Sequence, residues 1–198
     1  MTSNAELRAR ARQQLGGNIF STNWLIGVLV VLVVGAILSV VGFTVVGTLI
    51  LWGPLTVGAN FVFLSLVRGK SKADFLEVFN GFRQTDALAN RILTGLLVNV
   101  FTFLWSLLFV IPGIVKMYSY SMATYISADH PDWEWKQCID ASKKVMFGKK
   151  GKLFCLDLSF IGWMIVGSLA FGIGTLWVSA YIESAHANFY EDIKAEIA

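Results

Sequence analysis

Three ionisable side chains lie inside or at the edge of long apolar stretches, where a charge could take part in chemistry. Asp157 follows Lys152 by five residues, and Glu183 and His186 stand three residues apart near the end of the chain. A charge in hydrocarbon costs about 2.5 to 3.5 kcal/mol on insertion scales and persists only with compensation. A helix ending near Tyr190 would place Glu183 and His186 at the depth of Asp157, about 7 Å into the membrane at helical rise.

This spacing predicts a cytoplasm-facing polar cluster of Asp157, Glu183 and His186, which could pass a proton or hold a cation. The alternative is that Glu183 and His186 already lie among the headgroups and that Asp157 pairs locally with Lys152. Signatures of soluble enzymes, such as His-Glu-x-x-His, Cys-x-x-Cys and Gly-x-Ser-x-Gly, are absent from the sequence. With two histidines and two cysteines in all, we expect no metal site, no catalytic residues and no cofactor.

The elements that must position these groups are long apolar runs. Of the 198 residues, 56% are hydrophobic and 15% are charged, which leaves little polar surface to face water. Uncharged runs extend from Trp24 to Val67, from Ile92 to Val115 and from Leu158 to Ile182. As a helix, the first run would extend about 66 Å, roughly twice the hydrocarbon thickness, so it fits two crossings.

The basic residues indicate how these runs are oriented. Of 16 lysines and arginines, 15 lie outside the apolar runs, in the N-terminal segment, the two linkers and the C-terminal tail. Cytoplasmic loops carry such an excess, and a run with both ends in the cytoplasm must cross an even number of times. The pattern predicts an all-α, polytopic transmembrane helical bundle of about six spans as three hairpins, with its N-terminus and basic loops on the cytoplasmic side of the cell membrane.

We expect a single integral membrane domain over residues 1–198. Its segments are an N-terminal amphipathic segment (1–22), hairpin one (24–67), a cytoplasmic linker (68–91), hairpin two (92–128), a cytoplasmic amphipathic helix (129–152), hairpin three (153–190) and a tail (191–198). Gly53-Pro54 and Ile111-Pro112-Gly113 are expected to break helices, either at hairpin turns or where the freed backbone groups face protein or water.

Two amphipathic segments lie on the basic side. Leu7, Ala11 and Leu15 share one face of a first helix, which lies against the inner leaflet or is only a positively charged orientation signal. A second helix, with Pro131 at its first position, is expected to lie along the membrane. The residues expected to contact anionic headgroups are Arg8, Arg12, Lys143, Lys144, Lys149, Lys150 and Lys152. Besides the lipid bilayer, a membrane-protein partner or a homo-oligomer is left open, and nucleic acid is not expected.

Many segments, in order along the chain, resemble one bacterial membrane family. They include Gly53 through Gly58, Asp74 through Phe82, Leu104 through Ile114, Tyr118 through Met122, Ala128 through Pro131 and Leu156 through Trp163. The chain is similar to the integral membrane group catalogued as domain of unknown function 975. That resemblance implies a multi-span helical protein, mainly of Gram-positive bacteria, without an established activity. The Pro-Gly break and the amphipathic helix also look distantly like the membrane domain attached to some bacterial glycerophosphodiester phosphodiesterases, from which no catalytic residue carries over.

The sequence therefore predicts an integral membrane protein of unknown activity. The first hypothesis is a non-catalytic scaffold, regulatory or protective component of a bacterial membrane or envelope system. The alternative is a transporter or channel for a small solute, a lipid or a proton that uses Asp157, Glu183 and His186. A membrane enzyme ranks third, because the sequence shows no pair of nucleophile and base.

Overall fold

The chain folds into helices, which confirms the all-α prediction. A computed structural model describes residues 2–41, 45–70, 72–83, 85–108, 110–169 and 172–197, and no strand occurs within these ranges. The α-helices are α1 (Asn4–Gln14), α2 (Thr22–Val41), α3 (Val45–Val67), α4 (Asn80–Arg83), α5 (Thr85–Leu108), α6 (Val110–Tyr120), α7 (Ala123–Asp129), α8 (Trp135–Val145), α9 (Lys150–Leu158), α10 (Ile161–Leu169) and α11 (Gly174–Ile193). Phe75–Phe79 and Lys194–Glu196 form 3-10 turns.

Four helical stretches among the described residues are long and apolar enough to cross a membrane. They are Thr22–Ser39 in α2, Ile50–Val67 in α3, Ala87–Ser106 in α5 and Lys150–Leu169 across α9 and α10, with mean hydropathies from 1.5 to 2.2. This accords with a multi-pass membrane protein. The prediction of six spans goes beyond these four and stays a prediction.

Much of the surface of these stretches is apolar. In α10, large side chains including Trp163, Ile165, Val166 and Leu169 point outward and are exposed. A soluble monomer rarely exposes so continuous an apolar patch. Lipid is the solvent in which such a surface is stable.

Gly53 and Pro54 lie inside α3, so the prediction of a helix break at this point is wrong. The helix continues from Val45 to Val67 although Pro54 has no N–H to donate. The hydroxyl of Thr56 donates a hydrogen bond of 2.8 Å to the carbonyl oxygen of Trp52, close to the backbone hydrogen bond that Pro54 cannot make. The residues that follow α3 and the first half of α5 pack directly on this turn and hold it in helical form.

The second predicted break, at Ile111-Pro112-Gly113, lies at the start of α6. Pro112 lies in the first turn of α6, where a missing N–H is tolerated. Gly172 has a φ of 77° in the connection that precedes α11, and Gly148 has a φ of 75° after α8. Both angles are in the left-handed region that glycine adopts most readily.

The backbones of α3, α4 and α5 touch at glycines. A Cβ atom added to Gly53 would stand 2.1 Å from the Arg91 carbonyl oxygen, and one added to Gly95 would stand 2.3 Å from the Gly53 Cα. A Cβ atom on Gly81 would stand 2.0 Å from the carbonyl oxygen of Pro54. No side chain fits at these positions, so the glycines determine how closely the three helices approach.

The N-terminal helix α1 packs onto the bundle. Its apolar residues Leu7, Ala11 and Leu15 are fully buried, chiefly against α11. The amide of Thr2 donates to the Asp192 carboxylate at 2.9 Å, which brings the two ends of the chain together. The interpretation that this helix lies on the inner leaflet is therefore corrected, because its apolar face is covered by protein and is not available to lipid.

Helix α8 also turns its apolar face toward the protein. It begins at Trp135 and not at Pro131, with Glu134 and Gln137 forming a reciprocal cap at its start. Cys138, Ile139, Ser142, Val145 and Met146 are buried. The Ser142 hydroxyl donates to the carbonyl oxygen of Ser119 at 2.8 Å, which fastens α8 to the end of α6. Only the charged face of α8 remains for headgroups or a partner.

Candidate functional site

Asp157 and His186, predicted to be neighbours, are in direct contact. The Nε2 atom of His186 on α11 lies 2.6 Å from Oδ1 of Asp157 on α9. The other carboxylate oxygen of Asp157 accepts a hydrogen bond of 2.8 Å from the hydroxyl of Tyr118, which α6 contributes. Both Asp157 and His186 are partly buried. A carboxylate and an imidazole at this distance form a pair through which a proton can move.

Glu183 lies beside this pair but contacts a different helix. Its carboxylate accepts a hydrogen bond of 3.1 Å from the hydroxyl of Tyr125 on α7. Since Glu183 and His186 are separated by three residues on α11, their side chains occupy one helix face. We call Tyr118, Tyr125, Asp157, Glu183 and His186 the inner polar cluster; it connects α6, α7, α9 and α11.

The two tyrosines of the inner polar cluster are the members that sequence reasoning missed. It does not single out either residue as a polar partner of the predicted cluster. A usable signal is present, since a buried tyrosine hydroxyl in an apolar helix needs a polar partner.

A second polar network joins the C-terminal ends of α3, α7 and α11. The guanidinium of Arg68 contacts Asp129 at 2.6 Å and Glu191 at 2.8 Å. The hydroxyl of Tyr190 donates to Asp129 at 2.9 Å, and Lys194 contacts Glu191 at 2.5 Å. Burial lowers the pKa of Arg68, but the hydrogen bonds that it donates to the two carboxylates outweigh burial, and the net pKa is raised. Arg68 therefore holds the ends of three helices together.

Polar contacts also hold α1 in its place on α11. The hydroxyl of Tyr181 donates to the carbonyl oxygen of Arg8 at 3.0 Å. The side-chain amides of Gln14 and Asn188 bond to each other, at 2.6 Å in one direction and 3.2 Å in the other. Arg10 pairs with Asp192 at 3.5 Å. Hydrogen bonds and an ion pair thus hold α1 in place in addition to its apolar contacts.

The residues predicted to contact headgroups lie on α1, on α8 and at the start of α9. Arg8 donates to the Ser159 carbonyl oxygen at 3.4 Å, and Arg12 donates to the Tyr181 hydroxyl at 3.4 Å. On α8, Lys143 pairs with Asp140 at 2.9 Å and Lys144 is exposed. Lys149 contacts Glu196. Lys150 and Lys152 are partly buried at the start of α9.

Within the described ranges, no three histidine, cysteine or carboxylate side chains are placed to hold a metal ion together. Cys138 and Cys155 are both free thiols. Burial raises the pKa of Cys138 to about 11. This thiol is therefore almost entirely protonated at neutral pH, which makes it a poor nucleophile and a poor metal ligand.

Comparison with known proteins gives one match. A family model described as "Protein of unknown function (DUF975)" matches residues 1–119 and 110–196, which together extend over nearly the whole chain. No curated protein and no solved structure matches the chain.

Proposed function

The chain belongs to the DUF975 family of proteins of unknown function, and we propose that it is a non-catalytic membrane scaffold or regulator whose folded inner end binds a partner in the bacterial cell membrane. The membrane crossings would anchor the protein. The partner would bind at the charged face of α8.

Six crossings are proposed for the membrane part. The four stretches identified by length and apolarity would supply four of them. Helices α6 and α7 together would supply a fifth crossing, and α11 would supply the sixth. Neighbours along the chain pack against each other as hairpins require, namely α2 with α3, α5 with α6, and α10 with α11. The basic segments would then share the cytoplasmic side, as the excess of lysine and arginine in cytoplasmic loops favours.

Reporter tags test this topology. We expect tags inserted after residue 70 and after residue 148 to report the cytoplasm, because an even number of crossings separates the two positions. A tag placed within residues 42–44, between α2 and α3, should report the opposite side and serves as the matched control. Opposite compartments for the tags at 70 and 148 would contradict the six-crossing arrangement.

The scaffold proposal rests on the hydrogen bonds that the inner polar cluster makes within the protein. The acids of the inner polar cluster, Asp157 and Glu183, accept bonds from tyrosines on other helices, so these groups hold helices together. The apolar faces of α1 and α8 are covered by the bundle. What remains at the inner end is a rigid surface with basic side chains, which suits recognition of an acidic surface more than turnover of a substrate.

A copurification experiment with charge variants tests the proposal. We expect the chain, extracted from native membranes in mild detergent, to bring down a protein in stoichiometric amount. Lys136→Glu with Lys144→Glu should remove that protein, because both lysines are exposed on the outer face of α8. Lys72→Glu, also exposed but in the first linker, should retain it. A chain that stays solitary, or a partner retained by the α8 variant, would contradict this proposal.

Transport remains the second candidate, favoured by the contact of 2.6 Å between Asp157 and His186. A transporter needs water at these groups during its cycle. Cysteines substituted for Asp157 and Glu183 distinguish the two functions, since a transporter would react with membrane-impermeant thiol reagents at both positions. Sealed positions, together with retained function of the alanine variants, would exclude transport.

A further inference from the structure

An open groove runs between the α1–α2 connection and the helices α10 and α11. Its volume is about 680 Å³, within the range of about 300 to 1,000 Å³ that is usual for sites holding a small organic ligand. The groove is lined mainly by apolar and aromatic side chains, among them Phe20, Trp163, Val166, Ile173 and Trp177. Helix α10 belongs to a stretch apolar enough to cross a membrane. The groove therefore suits a hydrocarbon chain.

The walls of this groove are fixed by hydrogen bonds. The indole N–H of Trp177 donates to the carbonyl oxygen of Ile19 at 2.9 Å, and the indole N–H of Trp24 donates to the carbonyl oxygen of Trp177 at 3.2 Å. A Cβ atom on Gly167 would stand 3.0 Å from the carbonyl carbon of Gly174, so α10 and α11 are in close contact beside the groove. These contacts fix the concave shape of the groove.

The charge at one end of the groove is positive. Arg12 lines it, and its guanidinium lies 5.8 Å from the centre of the Tyr181 ring, while the lining includes no acidic side chain. Arg8 precedes Arg12 by one helical turn. Neither arginine contacts a carboxylate in the described part of the chain, whereas Arg10 pairs with Asp192. Arg8 donates to the carbonyl oxygen of Ser159 and does not line the groove. Arg12 is exposed, so it is the side chain available to an anion from outside the protein.

We propose that this groove is a binding site for one anionic membrane lipid, with an acyl chain between Trp163, Val166 and Ile173 and the headgroup phosphate against Arg12. Arginine is well suited to phosphate because its planar fork donates two parallel hydrogen bonds. The site rests on the proposed membrane crossing, since a lipid must reach α10 from the bilayer. It does not depend on the scaffold role.

Fluorescence quenching in proteoliposomes tests the site. The full-length protein is reconstituted in phosphatidylcholine with a small fraction of either brominated phosphatidylglycerol or brominated phosphatidylcholine. We expect stronger tryptophan quenching by the anionic lipid, because Trp163 and Trp177 line the groove. Arg12→Gln should lower the apparent affinity for brominated phosphatidylglycerol about fivefold, as expected for the loss of one cation near a headgroup. Arg12→Lys should restore part of the preference.

Two matched variants show whether the quenching preference comes from the groove. Arg10→Gln removes the same charge from the same helix but outside the groove, and it should keep the preference of the wild-type protein. Trp163→Phe should remove part of the anionic-lipid quenching, because it deletes a reporter in the groove. Equal quenching by both lipids, or equal effects of the Arg10 and Arg12 variants, would overturn the lipid site alone. Absence of quenching by either lipid would overturn the membrane crossing and the site with it.

A second copy of the chain is the other occupant that the experiment excludes. Brominated lipid could not enter a groove covered by a second copy, and Val166→Trp would then disrupt a dimer seen by crosslinking in the same liposomes. A dimer lost in this variant, with no preferential quenching in the wild-type protein, would replace the lipid proposal.

Discussion

Replacing Gly53 with alanine should destabilise the fold by about 3 kcal/mol or more, the upper part of the range for overpacking in a close-packed interior. The new methyl group would stand 2.1 Å from the Arg91 carbonyl oxygen. Because that atom belongs to the backbone of α5, it can move only if the whole helix shifts. The free energy of unfolding in detergent, followed by loss of helical circular dichroism, measures the effect.

Gly35→Ala provides the matched control. A Cβ atom on Gly35 in α2 meets nothing within 4 Å. Alanine there should leave stability unchanged or raise it slightly, because alanine favours a helix by about 1 kcal/mol over glycine. The same substitution is therefore expected to act with opposite sign at the two positions. Equal stability of the two variants would show that α3 and α5 are not packed as closely as described.

Placing a charge at Leu7 should separate α1 from the bundle. Leu7 is fully buried in the core that α1 forms with α11. Leu7→Glu should cost at least the roughly 2 to 5 kcal/mol of a core leucine truncation, because the carboxylate must also leave water. Limited proteolysis provides a direct measurement, since cleavage at Gly16 and Gly17 should become fast when the helix no longer docks.

Ala9→Glu is the control for this variant. Ala9 lies on the same helix and is exposed, so the added charge should change neither the proteolysis rate nor the unfolding transition. A helix held by the leaflet would respond differently. In that case Leu7→Glu would release α1 without lowering the unfolding midpoint of the remaining bundle, and the docked position would be refuted.

The sequence was sufficient for the helical class and for one contact of the candidate site. Long uncharged runs predict helices of membrane-crossing length because hydrocarbon excludes charge, and four such stretches are found among the described residues. Depth matching placed Asp157 near His186, and the two side chains lie 2.6 Å apart. The distances of Asp157 from Lys152 and of His186 from the end of α11 follow from helical rise alone. This contact could therefore be predicted from the sequence.

Sequence patterns failed where two environments impose the same pattern. A stripe such as Leu7, Ala11 and Leu15 suits a lipid surface and a protein surface equally well, so burial against α11 could not be foreseen. Pro54 reads as a break because proline removes a donor, but packing by α5 overrides this local preference. The arginine network around Arg68 joins residues more than sixty positions apart in sequence, such as Asp129. No local pattern encodes such a pairing.

The docking of α1 on α11 also constrains the order in which the protein can be assembled. The groups that meet, such as Thr2 and Asp192, are separated by 190 positions along the chain. Helix α1 must therefore wait until α11 has been synthesised before its leucines can pack against it. Until then these leucines and arginines remain available to lipid or to an insertion factor, and α1 docks only after α11 has been synthesised.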